Sequence, residues 1–129
     1  WNCWRDISFA YSSFARKMGV DASELYVVDA LWDEGEGLSQ RTICERCDMG
    51  KQTVSAICKR LGARDFVTAH PSEADNRERI MALTDEGREW WSQPVERMRE
   101  LEVKAAEEIG VFIKVVEQYA KTFQEEVQR

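Results

Sequence analysis

Apolar residues recur three and four apart through six stretches of the chain, and that period predicts six helices. The first covers residues 1–18, with Trp1, Trp4, Ile7, Tyr11, Phe14, Ala15 and Met18 near one stripe. So much aromatic surface needs a partner, within one subunit or across a dimer. Asp21 and Glu24 have capping-box spacing for a helix from about 22 to 33, with Leu25, Val28, Leu31 and Trp32 on its buried face. After a short acidic loop from Glu34 to Gly37, Ser39 can cap a third helix whose inward positions are Ile43, Cys44 and Cys47. Asp48, Met49 and Gly50 then make a tight turn. A fourth helix runs from about Lys51 to Leu61 with Val54, Ile57, Cys58 and Leu61 on one face.

Two short runs, Phe66 to His70 and Arg79 to Leu83, read as strands of a hairpin around the turn-forming 71–78, PSEADNRE. Thr84 is placed to cap a fifth helix over about 85–108, with Asp85 and Glu86 in its first turn and Pro94 able to kink it. Gly110 breaks the pattern. A last helix over 111–127 has Val111, Val115, Gln118, Tyr119, Thr122 and Phe123 as candidates for one side.

The third and fourth helices, joined by a short Gly-containing turn, have the helix-turn-helix pattern, in which the second helix enters the major groove of DNA. Roughly 100° per residue turns Gln52, Ser55, Ala56, Lys59 and Arg60 outward, with Lys51 and Thr53 in the first turn. That set holds no acid. Its amides and hydroxyls can bond base edges and its cations can bond phosphates. The positive helix N-terminus at Lys51, Gln52 and Thr53 also suits a phosphate. The hairpin that follows makes the whole a winged helix.

Charge both questions and supports this. The chain of 129 residues has a net charge of −6, which argues against a nucleic-acid partner. Its distribution does not: residues 38–64 hold six Lys/Arg against two Asp/Glu, whereas residues 1–37 hold three against seven. A basic island in an acidic frame fits contact through one face, with affinity that falls quickly as salt rises. The length allows one domain with a real core. No apolar run approaches a membrane span, and nothing resembles a signal peptide. Four cysteines without an export signal read as reduced thiols, hence a cytoplasmic protein. The start at Trp1 rather than Met is expected of a chain whose own N-terminus is missing or processed.

No catalytic constellation emerges: one His, no Gly-rich phosphate loop and no nucleophile elbow argue against an enzyme. Cys44 and Cys47 form a C-x-x-C with Cys58 in the next helix. Three readings stay open for them: core packing, a redox sensor, or a zinc site short of a fourth ligand. On the helix the pair would be about 5–6 Å apart at Cβ, too far for a relaxed disulfide. No metal and no cofactor is expected.

The segment TVSAICKRL (53–61), the tip Asp75-Asn76-Arg77, and the run Leu83-Thr84-Asp85-Glu86-Gly87-Arg88, in that order and spacing, resemble the DNA-binding core of the MarR family of bacterial transcriptional regulators. The resemblance implies a mainly α (α+β) fold, a winged helix-turn-helix with N- and C-terminal dimerisation helices. Residues 1–129 would form one domain, with 22–84 the DNA-binding core and 1–18 and 85–129 the dimerisation region. It further implies a homodimer, more often a repressor than an activator, on double-stranded DNA with pseudo-palindromic half-sites about 34 Å apart. Lys51, Gln52, Thr53, Ser55, Lys59 and Arg60 would read or anchor the major groove, and Ser39 and Gln40 would touch phosphates. Arg77 would enter the minor groove, while Asp75 would orient the wing loop or pair with a cation such as Arg60. A small aromatic effector would sit where Trp32, Trp90 or Trp91 line a cleft, against the alternative that these rings are plain packing. The chain departs from the family at Thr68, Ala69 and His70, where basic residues are usual, and at Asp65, where Gly is usual. The net charge of −6 and the thinned basic wing keep one rival in view, an interaction module that has lost DNA binding, and the cysteines keep another, a regulator switched by oxidation of Cys44, Cys47 or Cys58.

Overall fold

The computed structural model describes residues 3–109 and 112–129, so the expectations for Trp1, Gly110 and Val111 lie outside the described residues. In order the elements are α1 (Cys3–Lys17), α2 (Ala22–Trp32), β1 (Leu38–Ser39), α3 (Gln40–Cys47), α4 (Lys51–Ala63), β2 (Val67–Pro71), β3 (Arg79–Leu83), α5 (Asp85–Ile109) and α6 (Phe112–Val127). They divide into two compact units, Trp1–Ser92 and Gln93–Arg129.

Side-chain caps set where three of the helices begin. Asp21 Oδ1 accepts from the Glu24 N–H at 2.8 Å and Glu24 Oε2 accepts from the Asp21 N–H at 3.4 Å, closing the expected capping box on α2. Ser39 Oγ accepts from the Thr42 N–H at 3.1 Å to start α3. Thr84 Oγ1 accepts from the Gly87 N–H at 2.9 Å to start α5. Between α3 and α4 the left-handed residue is Asp48, at φ 49°, while Gly50 has an ordinary φ of −68°. The expected turn at Asp48, Met49 and Gly50 is present, with Asp48 in the left-handed region that Asp tolerates. Asp65, at φ 61°, does the same where α4 gives way to the wing.

Leu25, Val27, Val28 and Leu31 of α2, Ile43 of α3, Val54, Ile57 and Leu61 of α4, and Trp91 of α5 are the largest fully buried side chains in the first unit. Each aliphatic one contributes about 1.5–3 kcal/mol by leaving water. The stripe on α1 is only partly covered: Ala15 is buried, Ile7, Tyr11, Phe14 and Met18 are half-buried, and Trp4 is exposed.

The sheet has the order β1-β3-β2 and is antiparallel throughout, with Val67 opposite Leu83 and Pro71 opposite Arg79. β2 starts one residue later than the sequence predicts. Phe66 belongs to the turn, its N–H bonded to the Leu61 carbonyl at 3.0 Å. Pro71 is tolerated because β2 is an edge strand, where one missing N–H breaks no ladder. β1 was not expected at all, since two residues show no periodicity. Leu38 pairs with Met81 and Ser39 with Ile80. Gly37 lets the chain enter that pairing: its φ is +94°, and a Cβ there would strike the Met81 carbonyl. Gly87 has a similar role, since a Cβ on it would strike the Phe66 carbonyl.

In the second unit the C-terminal part of α5 runs through Pro94 as continuous helix and buries Val95 and Met98. α6 leaves Ile113, Val115, Tyr119, Phe123 and Val127 exposed, with the Tyr119 and Phe123 rings stacked at 6.1 Å. Gln118 donates to Thr122 Oγ1 at 3.0 Å along the same helix. No helix among the described residues is long and apolar enough to cross a membrane.

Gly37→Ala should lower stability by about 1–3 kcal/mol, because the new residue meets both a disfavoured φ and a backbone oxygen. Gly35→Ala, two residues earlier with open space around it, should stay within about 0.5 kcal/mol. Thermal denaturation of the two variants beside the parent checks this, and equal losses would mean that the close approach at Gly37 is not what holds β1.

Candidate nucleic-acid interface

Gly50 offers α4 no side-chain cap, so the first N–H groups of the helix remain available at its positive end. Lys51, Gln52 and Thr53 stand exposed around them. With Val54, Ile57, Cys58 and Leu61 buried, Ser55, Ala56, Lys59 and Arg60 are exposed, as the spacing predicts. This face carries hydroxyls, an amide and ammonium groups, and no carboxylate.

Arg60 is exposed yet committed elsewhere. Its Nε donates to Glu24 Oε1 at 2.8 Å, and a terminal nitrogen lies 3.5 Å from Asp21 Oδ2. The Glu24 hydrogen bond pushes the guanidinium pKa up, against a smaller opposing effect of desolvation. Arg60 therefore does not pair with Asp75. One turn on, Arg64 donates to the Gly19 carbonyl at 3.2 Å and lies over the rings of Phe66 and Trp90 at 4.7 and 5.2 Å. Neither role was read from the sequence. The available signal was angular: Arg60 falls roughly 100° round the helix from Lys59, and Arg64 is four residues further on the same flank.

Other cations of the segment are also engaged. Arg41 pairs with Glu45 at 3.4 Å and Arg46 with Glu34 at 3.0 Å. Among the described residues, Lys51 and Lys59 on α4 and Arg77 and Arg79 in the wing carry charge with no acidic partner.

Ser39 and Gln40 are placed differently from expectation. Ser39 is buried, and its hydroxyl is engaged with the Thr42 N–H and with Thr42 Oγ1 at 2.9 Å. Gln40 is half-buried, with its amide nitrogen 3.8 Å from Met81 Sδ. The cap and the sheet use these side chains before a phosphate could.

In the wing, Asp75 organises the loop. Its Oδ1 accepts from the Arg77 N–H at 3.0 Å and its carbonyl accepts from the Glu78 N–H at 2.9 Å. Ser72, buried, accepts from the Ala74 N–H at 3.2 Å on the other side. Arg77 is thereby presented, exposed, at the tip. Thr68, Ala69 and His70 are exposed along β2 and add no Lys or Arg to it.

Residues 18–78 match the model of the MarR family. Over that stretch, which runs from the end of α1 to the wing loop, the chain is similar to the MarR family. The chain folds as a winged helix. Over 92% of this chain and 89% of the other, it is similar at 26% identity and a TM-score of 0.71 to the PcaV transcriptional regulator of Streptomyces coelicolor, solved in complex with its natural ligand. The MarR family regulator NMB1585 of Neisseria meningitidis shares the fold at a TM-score of 0.79 and 21% identity, over 98% and 92% of the two chains. Overoxidized AbfR bound to DNA does so at 0.77 and 21%, over 99% and 89%. No curated protein matches the chain in sequence.

The tryptophans lie apart from the polar face of α4. Trp91 is fully buried, and its Nε1 has no hydrogen-bond partner among the described residues. Trp90 stacks on Phe66 at 4.4 Å and on Trp91 at 5.1 Å. Trp32 lies under Arg88 at 5.5 Å, and Arg88 also donates to the Trp32 carbonyl at 3.3 Å. A cleft of about 300 Å³ does lie in the module, between α4 and the wing, but Gln40, Ser55, Lys59, Arg79 and Met81 are among its walls and no tryptophan is.

Of the three cysteines expected inside, only Cys58 is buried. Cys44 and Cys47 are half-buried, and Cys47 Sγ donates to the Tyr26 carbonyl at 3.7 Å. Burial first, then the neighbouring Cys44 and Cys47, push the Cys58 thiol up to about 11. Burial and Asp29 raise Cys47 as well. A reactive cysteine needs the opposite shift. Cys58 should therefore be the last of these thiols to react with iodoacetamide at pH 7.5, with a rate that climbs as pH rises toward 11. Mass spectrometry of partly alkylated protein reads this order, and early labelling of Cys58 would contradict the burial.

Proposed function

We propose that the chain is a transcriptional regulator of the MarR type that binds a pseudo-palindromic operator as a homodimer and acts there as a repressor. The observation that carries the reading is the face of α4. It is free of acid, its N-terminus is uncapped, and Lys51, Gln52, Thr53, Ser55 and Lys59 are exposed together on it. Gln52 and Ser55 suit base edges, and Lys51 and Lys59 suit phosphates. Arg77, held out by the Asp75 turn, suits a narrow A·T-rich minor groove.

The exposed apolar side of α6 supports a second copy as partner, because Ile113, Val115, Tyr119, Phe123 and Val127 are costly to leave in water. In this reading residues 1–129 work as one MarR-type domain, with 22–84 on DNA and 1–18 and 85–129 in the dimer, and the protein acts in the cytoplasm. Control by a small aromatic ligand is supported by the similarity to PcaV, whose structure holds its natural ligand, and by the ring-rich start of α5 at Trp90 and Trp91. Such a ligand would act by shifting the population of dimers whose α4 helices have the right spacing.

Selection from a random duplex library at two salt concentrations tests the reading. An enriched pseudo-palindrome whose binding weakens with salt is the expected result. No enrichment at either salt, from folded dimer, would favour an interaction module without DNA binding, as the unengaged β2 residues Thr68, Ala69 and His70 would then suggest. On the selected operator, Arg77→Ala should cost about 1–3 kcal/mol in a binding titration. Unchanged affinity would remove Arg77 from the interface.

A further inference from the structure

Glu24 divides its carboxylate between two tasks. One oxygen, Oε2, accepts from the Asp21 N–H and closes the cap of α2; the other, Oε1, accepts from Arg60 Nε of α4. The residue is 8% exposed, so its charge needs a partner, and Arg60 supplies it. Asp21, the N-cap itself, takes the other end of the guanidinium. Arg64 reaches back to the same entry segment through the Gly19 carbonyl. The C-terminal turns of α4 are thus fastened along one flank to residues 19–24.

An apolar stripe fixes which side of a helix faces inward but tolerates some rotation about the axis. A forked, two-acceptor contact on one flank does not. Reading base edges requires side chains held to within roughly 0.5 Å and 10–20°. We propose that Arg60 is a positioning residue: clamped by Glu24 and Asp21, it sets the rotation of α4 and so the placement of Ser55 and Lys59, without itself touching DNA. The inference rests on the DNA-binding reading above.

The test exploits an opposite sign. Glu24→Gln keeps a residue that serves the capping box but removes the charge that holds Arg60. If Arg60 positions α4, this variant binds the selected operator at least fivefold more weakly, discriminates less between operator and scrambled duplex, and keeps the parent dependence of log K on log salt. Arg60→Gln should do the same, the Glu24→Gln/Arg60→Gln pair should be no worse than Arg60→Gln alone, and Arg60→Lys should recover part of the loss. If instead Arg60 contacts phosphate, Glu24→Gln frees it and removes a nearby negative charge, so binding tightens. Arg60→Gln would then lower the salt slope by about one. Either of those results overturns the proposal. Amide NMR of the free proteins provides a readout that needs no DNA: shifts at Ser55 and Lys59 in Glu24→Gln, with the fold intact, are expected, and an unmoved α4 would sink the clamp. Failure of the parent protein to select any duplex would count against the regulator reading, whereas the NMR result would still judge the clamp.

Discussion

Val54, Ile57, Cys58 and Leu61 are buried along one side of α4, and what the other side can do follows from that. The stripe packs α4 against α2, α3 and β2 at once. At about 1.5–3 kcal/mol for each large aliphatic side chain, it outweighs any single polar contact on the helix. The exposed ion pairs of the module are worth about 0–1 kcal/mol each by comparison. Burial therefore selects the face shown to solvent, and the polar contacts adjust how that face is held. The exposed groups of α4 follow from this division: what neither the core nor the polar contacts took is left facing solvent.

The wing attaches to the same core through the buried side chains of Val67, Met81, Ala82 and Leu83 and through its backbone. β3 sits in the middle of the sheet, so β1 holds it on one edge and β2 on the other. Two glycines permit the close approaches, Gly37 against Met81 and Gly87 against Phe66. The Phe66 carbonyl accepts from the Thr84 N–H at 3.0 Å, and the Thr84 hydroxyl donates to the Asp65 carbonyl. The exit of α4, the base of the wing and the start of α5 are therefore one hydrogen-bonded joint. The Arg64, Phe66, Trp90 and Trp91 stack lies beside it. Through these rings the beginning of α5 is packed onto the end of α4.

Most of the architecture was legible because its signals are local. Periodicity gave the face of α4, capping chemistry gave Asp21, Glu24, Ser39 and Thr84, and turn residues gave the hairpin to within one residue. What escaped the sequence depends on contacts between distant residues. β1 exists only because Met81 and Ile80 are opposite it. Arg60 reads as a groove contact until Glu24, 36 positions earlier, is found beside it. Ser39 looks available to a phosphate until its hydroxyl is seen turned to Thr42. Cys44 and Cys47 looked interior because a helical wheel assigns faces and cannot say how deeply a short helix sinks.

The same pairing resolves the apparent conflict between a net charge of −6 and a polyanionic partner. Charges on a protein surface act over about 8 Å at physiological ionic strength, so DNA meets a local pattern and not the sum. Within the winged helix, Glu45, Glu34, Asp21 and Glu24 are each paired with an arginine. These acids repel an approaching backbone less than bare carboxylates would. The cost is that Arg41, Arg46 and Arg60 attract it less than bare guanidinium groups would. Among the described residues of the winged helix, Lys51, Lys59, Arg77 and Arg79 keep their charge with no acidic partner. In the proposed complex few phosphate contacts are on offer, and affinity would come in larger part from the fit of Gln52, Ser55 and the wing tip to a particular sequence. That is the circumstance in which the exact rotation of α4 matters most.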